Sequence, residues 1–167
     1  MTEESRVFIS AAEHSGDLHA AGLVREVTSR RPGIRFEGFG GDLLREAGCD
    51  LHENLVSMAT MGLGFRRHIG RYYGILRTFQ RQLEETRPAA VVLVDSPGLN
   101  FALARLARWR GVPVVYYICP QVWAWAPWRL RRIARAVDRI LVILPFEKPL
   151  YERAQAPVSF VGHPLYE

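Results

Sequence analysis

Only two cysteines, Cys49 and Cys119, occur in the 167 residues, and no apolar run approaches the roughly 20 residues that a membrane-spanning helix requires. The first scarcity argues against a disulfide-stapled scaffold and suits a reducing compartment in which both thiols are buried and free. The second argues against a spanning segment. Residues 1–6 carry Glu3 and Glu4 and lead into no long apolar stretch. They lack the charge order of a secretory signal, so a cytoplasmic protein is expected. Cysteine and histidine never fall at the spacing of a metal site, so neither a metal nor a cofactor is expected, and no Ser-His-Asp order stands out.

Acid is also missing locally. The chain has 17 Asp and Glu against 22 Lys and Arg, a formal charge of +5. None of the acids falls between Asn54 and Leu83 or between Ser96 and Val137. The first stretch holds Arg66, Arg67, Arg71, Arg77 and Arg81, and the second holds Arg105, Arg108, Arg110, Arg129, Arg131, Arg132 and Arg135. Unless it serves solubility alone, such a distribution predicts a positive surface facing a phosphate, a nucleic acid or an anionic lipid leaflet. Nucleic acid is the least favoured partner, because the arginines are not interleaved with a recognised nucleic-acid motif.

A chain of this length buries roughly 68–70% of its unfolded surface as one domain. Arg6 to Ala11 reads as a strand, and Ala20, Leu23, Val24 and Val27 mark the amphipathic helix that follows, stopped by Pro32-Gly33. Further strands are expected at Arg35–Phe39, Cys49–Leu55, Ala89–Val94, Pro113–Ile118, Arg139–Leu144 and Val158–Val161. Helices are expected at Asp42–Ala47, around Tyr72, Leu76, Phe79 and Leu83, and at Gly98–Arg110 with Leu99, Ala102, Leu103 and Leu106 inward. Two more are expected after Pro127, with Leu130, Ile133, Ala134 and Val137 inward, and at Phe146–Ala154. Strands alternating with helices predict an α/β fold, a doubly wound parallel sheet of Rossmann-like kind.

Ligands of open parallel sheets bind beyond the carboxyl ends of the strands, so the residues after each strand are the candidates. Glu13-His14-Ser15-Gly16-Asp17 follows the first strand. There Ser15 can cap the next helix and Gly16 lets a ligand approach its positive end, although a capped helix start accounts for Ser15 and Asp17 without a ligand. Asp95 follows the strand ending at Val94. A carboxylate at that position serves as a general base tuned by burial, or as a turn residue that starts the next helix, and both readings stand. Pro120-Gln121-Val122-Trp123-Ala124-Trp125 is the most distinctive segment. Pro120 ends a strand, and the alternate Trp123 and Trp125 form either a platform for the flat face of a sugar or an acyl chain, or a buried aromatic plug. Glu147 and Lys148 read as solvated first-turn residues, and His163 as structural.

Taken in order, Ala12-Glu13-His14-Ser15-Gly16-Asp17, Met61-Gly62, Asp95-Ser96-Pro97, Pro120 to Trp125, Leu144-Pro145-Phe146-Glu147-Lys148 and Phe160-Val161-Gly162-His163-Pro164-Leu165 resemble the amino-terminal half of lipid-A-disaccharide synthase. The resemblance spans nearly the whole chain. It implies an inverting, metal-free glycosyltransferase of the two-domain GT-B type, working at the inner face of the cytoplasmic membrane as a peripheral protein. Such an enzyme joins UDP-2,3-diacylglucosamine to 2,3-diacylglucosamine 1-phosphate and releases UDP. By the same resemblance Asp95 is the base on the acceptor hydroxyl and Glu13 a second catalytic residue. Ser15, Gly16, Asp17, Met61, Gln121, Trp123, Trp125 and Arg129 are then expected to bind substrate. The acid-free segment around Leu63 to Leu76 suits an acylated sugar phosphate at an anionic membrane surface, with Leu63, Phe65, Ile69 and Tyr73 against the acyl chains. Residues 1–167 would form a single acceptor-side domain, with a C-terminal UDP-sugar domain acting in cis or in trans. The chain departs from the family's usual pattern at Ala12, His14, Gly98-Leu99 and after Met61-Gly62. The alternative is a non-catalytic membrane or lipid-binding module that kept the fold.

Overall fold

The apolar runs form strands in the structure, a computed structural model that describes residues 4–60, 69–121, 128 and 130–164, with the backbone alone at 58–60. The strands are β1 (Ser5–Ala11), β2 (Ile34–Gly40), β3 (Asp50–Asn54), β4 (Ala90–Val94), β5 (Val114–Tyr117), β6 (Arg139–Val142) and β7 (Val158–Phe160). They join in one sheet in the order 3-2-1-4-5-6-7, every neighbouring pair parallel. The helices are α1 (His14–Arg30), α2 (Asp42–Glu46), α3 (Leu55–Thr60), α4 (Ile69–Glu85), α5 (Pro97–Trp109), α6 (Leu130–Ala136) and α7 (Glu147–Arg153). The expected doubly wound parallel sheet is therefore present. α3 is an unanticipated element. Its signal is local: the Ser57 backbone N–H donates to the Asn54 side chain at 3.0 Å, an asparagine cap at the end of β3.

Alternation along the central strands divides the core into two layers. Phe8 of β1 and Val91 and Leu93 of β4 face α4, α5 and α6, where they meet Phe79, Leu83, Leu103 and Ile133. Ile9 and Ala11 with Val92 and Val94 face the opposite way and pack with Ala20, Val24 and Leu44 of α1 and α2. Phe8 meets Phe39 and Phe79 edge-on at centroid distances of 5.0 and 4.8 Å. Each such contact stabilises the sandwich by about 0.5–1.5 kcal/mol beyond burial, which ties α4 to the sheet. Gly38 of β2 has φ +153°, and a Cβ there would lie 1.9 Å from the Ile9 carbonyl oxygen, so no side chain fits between β1 and β2 at that point.

The inward face of α5 differs from the expected one. Leu99 and Leu103 are buried as anticipated, joined by Asn100, Ala104 and Ala107, while Ala102 and Leu106 are only half-buried. The helix lies with α4 on one flank and α6 on the other, and Ala102 and Leu106 line the trench between them. On α6, Leu130, Ile133 and the following Val137 are buried, with Ala134 half-buried.

Strand order fixes where a ligand can enter. The chain leaves β1 for β2 on one side and returns through α4 to β4 on the other, so the order in which successive strands are added reverses between β1 and β4. At that switch point the loops after the two strands diverge and leave a crevice between the starts of α1 and α5.

Candidate functional site

Asp95 stands at the tip of β4 with φ +48°, and the next residue, Ser96, has φ +44°. Two successive non-glycine residues in the left-handed region are strained, and surrounding bonds must hold them. The Asp95 carbonyl accepts from Asn100 Nδ2 at 2.8 Å and from the Tyr116 hydroxyl at 2.6 Å. Asn100 also donates to the Val94 carbonyl at 3.0 Å and accepts from Ser10 Oγ at 2.9 Å. Ser10, Asn100 and Tyr116 are all fully buried. Together they fix the turn from beneath and leave the Asp95 carboxylate half-buried at the crevice. Ser96 is the N-cap residue of α5 by position, and its own side chain makes no cap bond. Burial pushes the Asp95 carboxyl above the usual carboxylate range, and a hydrogen bond from the Ser96 backbone N–H offsets part of the rise.

Ser10, Asn100 and Tyr116 are the site residues that sequence reasoning left without a role. One signal was visible: a serine inside an otherwise apolar strand and an asparagine one position past Leu99 on the inward stripe of α5. Removing the tyrosine hydroxyl in Tyr116→Phe is expected to cost about 1–2 kcal/mol, since a buried carbonyl loses one of its two donors. Urea unfolding checks this, and an unchanged midpoint would show that the bond does not hold the turn.

The loop after β1 forms the facing wall. Glu13 is exposed, and its Oε1 accepts from Ser96 Oγ at 3.4 Å, so the two strand tips meet across the crevice. α1 begins at His14, with Glu13 in the N-cap position and no side-chain cap bond. Ser15 is therefore inside the first turn and exposed, a correction to its expected place as the cap. Gly16 is buried over the strand ends, where a Cβ would stand 3.6 Å from the Ala11 Cβ and 3.7 Å from the Val94 carbonyl oxygen. The positive end of the 17-residue helix α1 thus lies directly above β1 and β4.

Asp17 is committed to the fold. It is 1% exposed, and its carboxylate accepts from the backbone N–H of Gly41 at 2.7 Å, of Leu43 at 3.1 Å and of Leu44 at 3.3 Å. It binds the start of α2 and leaves no surface for a substrate, a departure from the substrate-binding role that the resemblance implied. A Cβ on Gly41 would stand 2.4 Å from the Asp17 carboxylate, so the glycine is what lets it approach.

Of the remaining candidates, Gln121 is exposed just past β5. Ile69 and Tyr73 are 67% and 58% exposed on the first turns of α4. Met61, Leu63, Phe65, Trp123, Trp125 and Arg129 lie outside the described residues. Glu147 is buried rather than solvated, and its carboxylate accepts from the Leu144 N–H at 3.2 Å, so it stabilises its own turn. Lys148 pairs with Glu152 on the surface at 3.7 Å, as a solvated residue should. His163 reaches back to α1, where its ring meets His19 edge-on at 6.3 Å. Both cysteines are buried and free, and burial pushes the Cys49 thiol up to about 12, far from reactivity. Among the described residues no group of three or more His, Cys, Asp or Glu could hold a metal ion, and no helix is long and apolar enough to cross a membrane.

Comparison with known proteins adds to this geometry. Residues 7–167 match the sequence pattern of the lipid-A-disaccharide synthetase family. The lipid-A-disaccharide synthase of Syntrophus aciditrophicus is 49% identical over 164 residues, covering 96% of this chain and 42% of the relative. That of Geobacter sulfurreducens is 48% identical, covering 99% and 44%. The chain spans less than half the length of these relatives. Among solved structures, Acinetobacter baumannii MurG superposes with a TM-score of 0.61 at 15% identity, over 96% of this chain and 46% of that one. UDP-GlcNAc 2-epimerase from Neisseria meningitidis, bound to UDP-GlcNAc, superposes with a TM-score of 0.65 at 13% identity, over 95% and 45%. At such identities the two structures speak for the fold alone.

Proposed function

The chain belongs to the lipid-A-disaccharide synthetase family, and from that premise we propose that it is the acceptor-side part of an inverting glycosyltransferase. Its acceptor is 2,3-diacylglucosamine 1-phosphate, its donor UDP-2,3-diacylglucosamine. The observation that carries the reading is the position of Asp95: a half-buried carboxyl of raised pKa, held at the switch point of the sheet by buried donors. A base so placed takes the proton from the acceptor hydroxyl as its oxygen attacks the anomeric carbon of the donor. The bond from that carbon to the UDP oxygen breaks, UDP leaves with the electron pair, and attack from the opposite face inverts the centre.

Glu13, across the crevice, is the second catalytic residue in this scheme, placed to orient the acceptor sugar. Ser15 and Gly16 present the positive end of α1 to it, and Gln121, with Met61, Trp123, Trp125 and Arg129, completes the binding surface. The UDP-sugar contacts are assigned to the part of the relatives that this chain does not span. We place the protein at the inner face of the cytoplasmic membrane, where Leu63, Phe65, Ile69 and Tyr73 meet acyl chains.

Titration calorimetry on the purified chain tests the assignment. 2,3-Diacylglucosamine 1-phosphate is expected to bind at least about tenfold tighter than UDP, a difference of about 1.4 kcal/mol. Tighter binding of UDP, or none of the acceptor, would reverse the assignment of this half to the acceptor.

A further inference from the structure

We propose that the trench between α4, α5 and α6 is a second ligand site, which seats the phosphate headgroup of an anionic membrane lipid. It is a cavity of about 680 Å³ on the outer side of the helix layer. Leu76, Ala102, Leu106 and Ala136 give it an apolar lining, and Arg105, Arg108, Arg132 and Arg135 give it charge. Arg108 is neutralised by Asp138 at 3.0 Å. Among the described residues no carboxylate pairs with Arg105, Arg132 or Arg135.

Three guanidinium groups with no carboxylate partner among the described residues, set around an apolar hollow, constrain the occupant. A wholly apolar partner would strip their water without replacing it, which is costly for a charge. A small soluble anion would satisfy the arginines and leave the lining wet. An amphiphile with a phosphate beside hydrocarbon satisfies both, because guanidinium forks match phosphate oxygens. Trp109 supports this reading. Arg110 covers one side of its ring at 4.9 Å, yet the residue remains 76% exposed at the edge of the trench. An aromatic with a polar edge suits the headgroup layer of a bilayer.

The trench also connects with the segment assigned to acyl chains. Ile69, Tyr73 and Leu76 follow one another at i, i+4 and i+7 on α4, so apolar surface runs from its first turn into the trench. Arg105 lies about 12 Å down α5 from Pro97, so occupation of the trench leaves the crevice open. The site rests on the membrane-facing part of the proposed function and is independent of the chemistry at Asp95.

Co-sedimentation of the purified chain with mixed phosphatidylcholine and phosphatidylglycerol vesicles, against phosphatidylcholine alone, tests it. The triple variant Arg105→Gln, Arg132→Gln, Arg135→Gln is expected to bind anionic vesicles about 100-fold more weakly, near fivefold for each arginine. A control variant, Arg25→Gln, Arg31→Gln, Arg45→Gln, removes the same charge around α1 and α2 and should stay within about threefold of the parent. All six side chains are exposed, and thermal unfolding verifies that both variants are folded. Equal losses in the two variants would reduce the effect to net charge and overturn the site while leaving membrane association intact. A parent chain that ignores anionic vesicles would overturn both.

Discussion

With Asp95 as the proposed base, Asp95→Asn is expected to lower kcat of the proposed transferase by about 10²–10⁴ with little change in KM, because the amide keeps shape and hydrogen bonding but cannot take a proton. The substitution is favourable for such a test, since asparagine tolerates the left-handed conformation that Asp95 adopts at φ +48°. Stability should move the opposite way. A folded-state pKa raised above the unfolded one means that Asp95 favours the fold below the unfolded pKa and that this contribution is lost as pH rises through the folded value. Asparagine never ionises, so the variant should match the parent below the ordinary aspartate pKa of about 3.9 and become the more stable of the two as pH rises through the raised folded value. Thermal unfolding at several pH values, read beside kcat, checks both halves. Unchanged turnover would remove Asp95 from the chemistry and favour the non-catalytic lipid-binding reading. In the parent, the raised pKa should place the acidic limb of the kcat/KM profile above the ordinary aspartate range of about 3.9.

Asp17→Ala should unfold at a temperature about 10 °C lower. Three backbone N–H groups converge on this carboxylate within 3.3 Å, and bonds to a buried charge stabilise by about 1.5–3 kcal/mol each before unpaired donors are counted. Losses within one cluster do not add, so a net cost of about 3–5 kcal/mol is reasonable, near the upper end for a single substitution. For a domain of this size each kcal/mol shifts Tm by about 2–4 °C. Well below the new Tm, acceptor affinity should match that of the parent, because the 1% exposed side chain has no path to a ligand. A stable variant that had lost acceptor binding would instead make Asp17 a substrate contact.

Asp17 also marks the boundary of what a linear reading can see. Within Glu13 to Asp17, loop position left a ligand role and a simple helix start both open, and the resemblance assigned roles to Glu13, Ser15, Gly16 and Asp17 alike. The fold turns Asp17 inward to α2, 24 residues away at Gly41, and leaves Glu13 and Ser15 at the crevice. Glu147 was misread for the same reason, since burial of a first-turn carboxylate depends on what packs over it. The trench was half legible: the acid-free stretch from Ser96 to Val137 announced its arginines. Only the packing of α4 beside α5 and α6 showed that Arg105, Arg132 and Arg135 share one hollow with Leu76.

The sequence by itself determined the strands and, α3 apart, the helices, together with their order. Apolar runs such as Ala90–Val94 are strands because both faces must be covered, and stripes such as Ala20, Val24 and Val27 are helices because one face must be. These are properties of neighbours in the chain. Which strands lie side by side, and therefore where the crevice opens, was decided by tertiary structure. β1 and β4 are separated by 78 residues between Ala11 and Ala90, and they pair because each supplies apolar side chains to both core layers. That pairing brings Ser10 to Asn100 and Glu13 to Ser96. The strained turn at Asp95 follows from it, because a backbone held at positive φ needs buried donors that only the packed sheet provides.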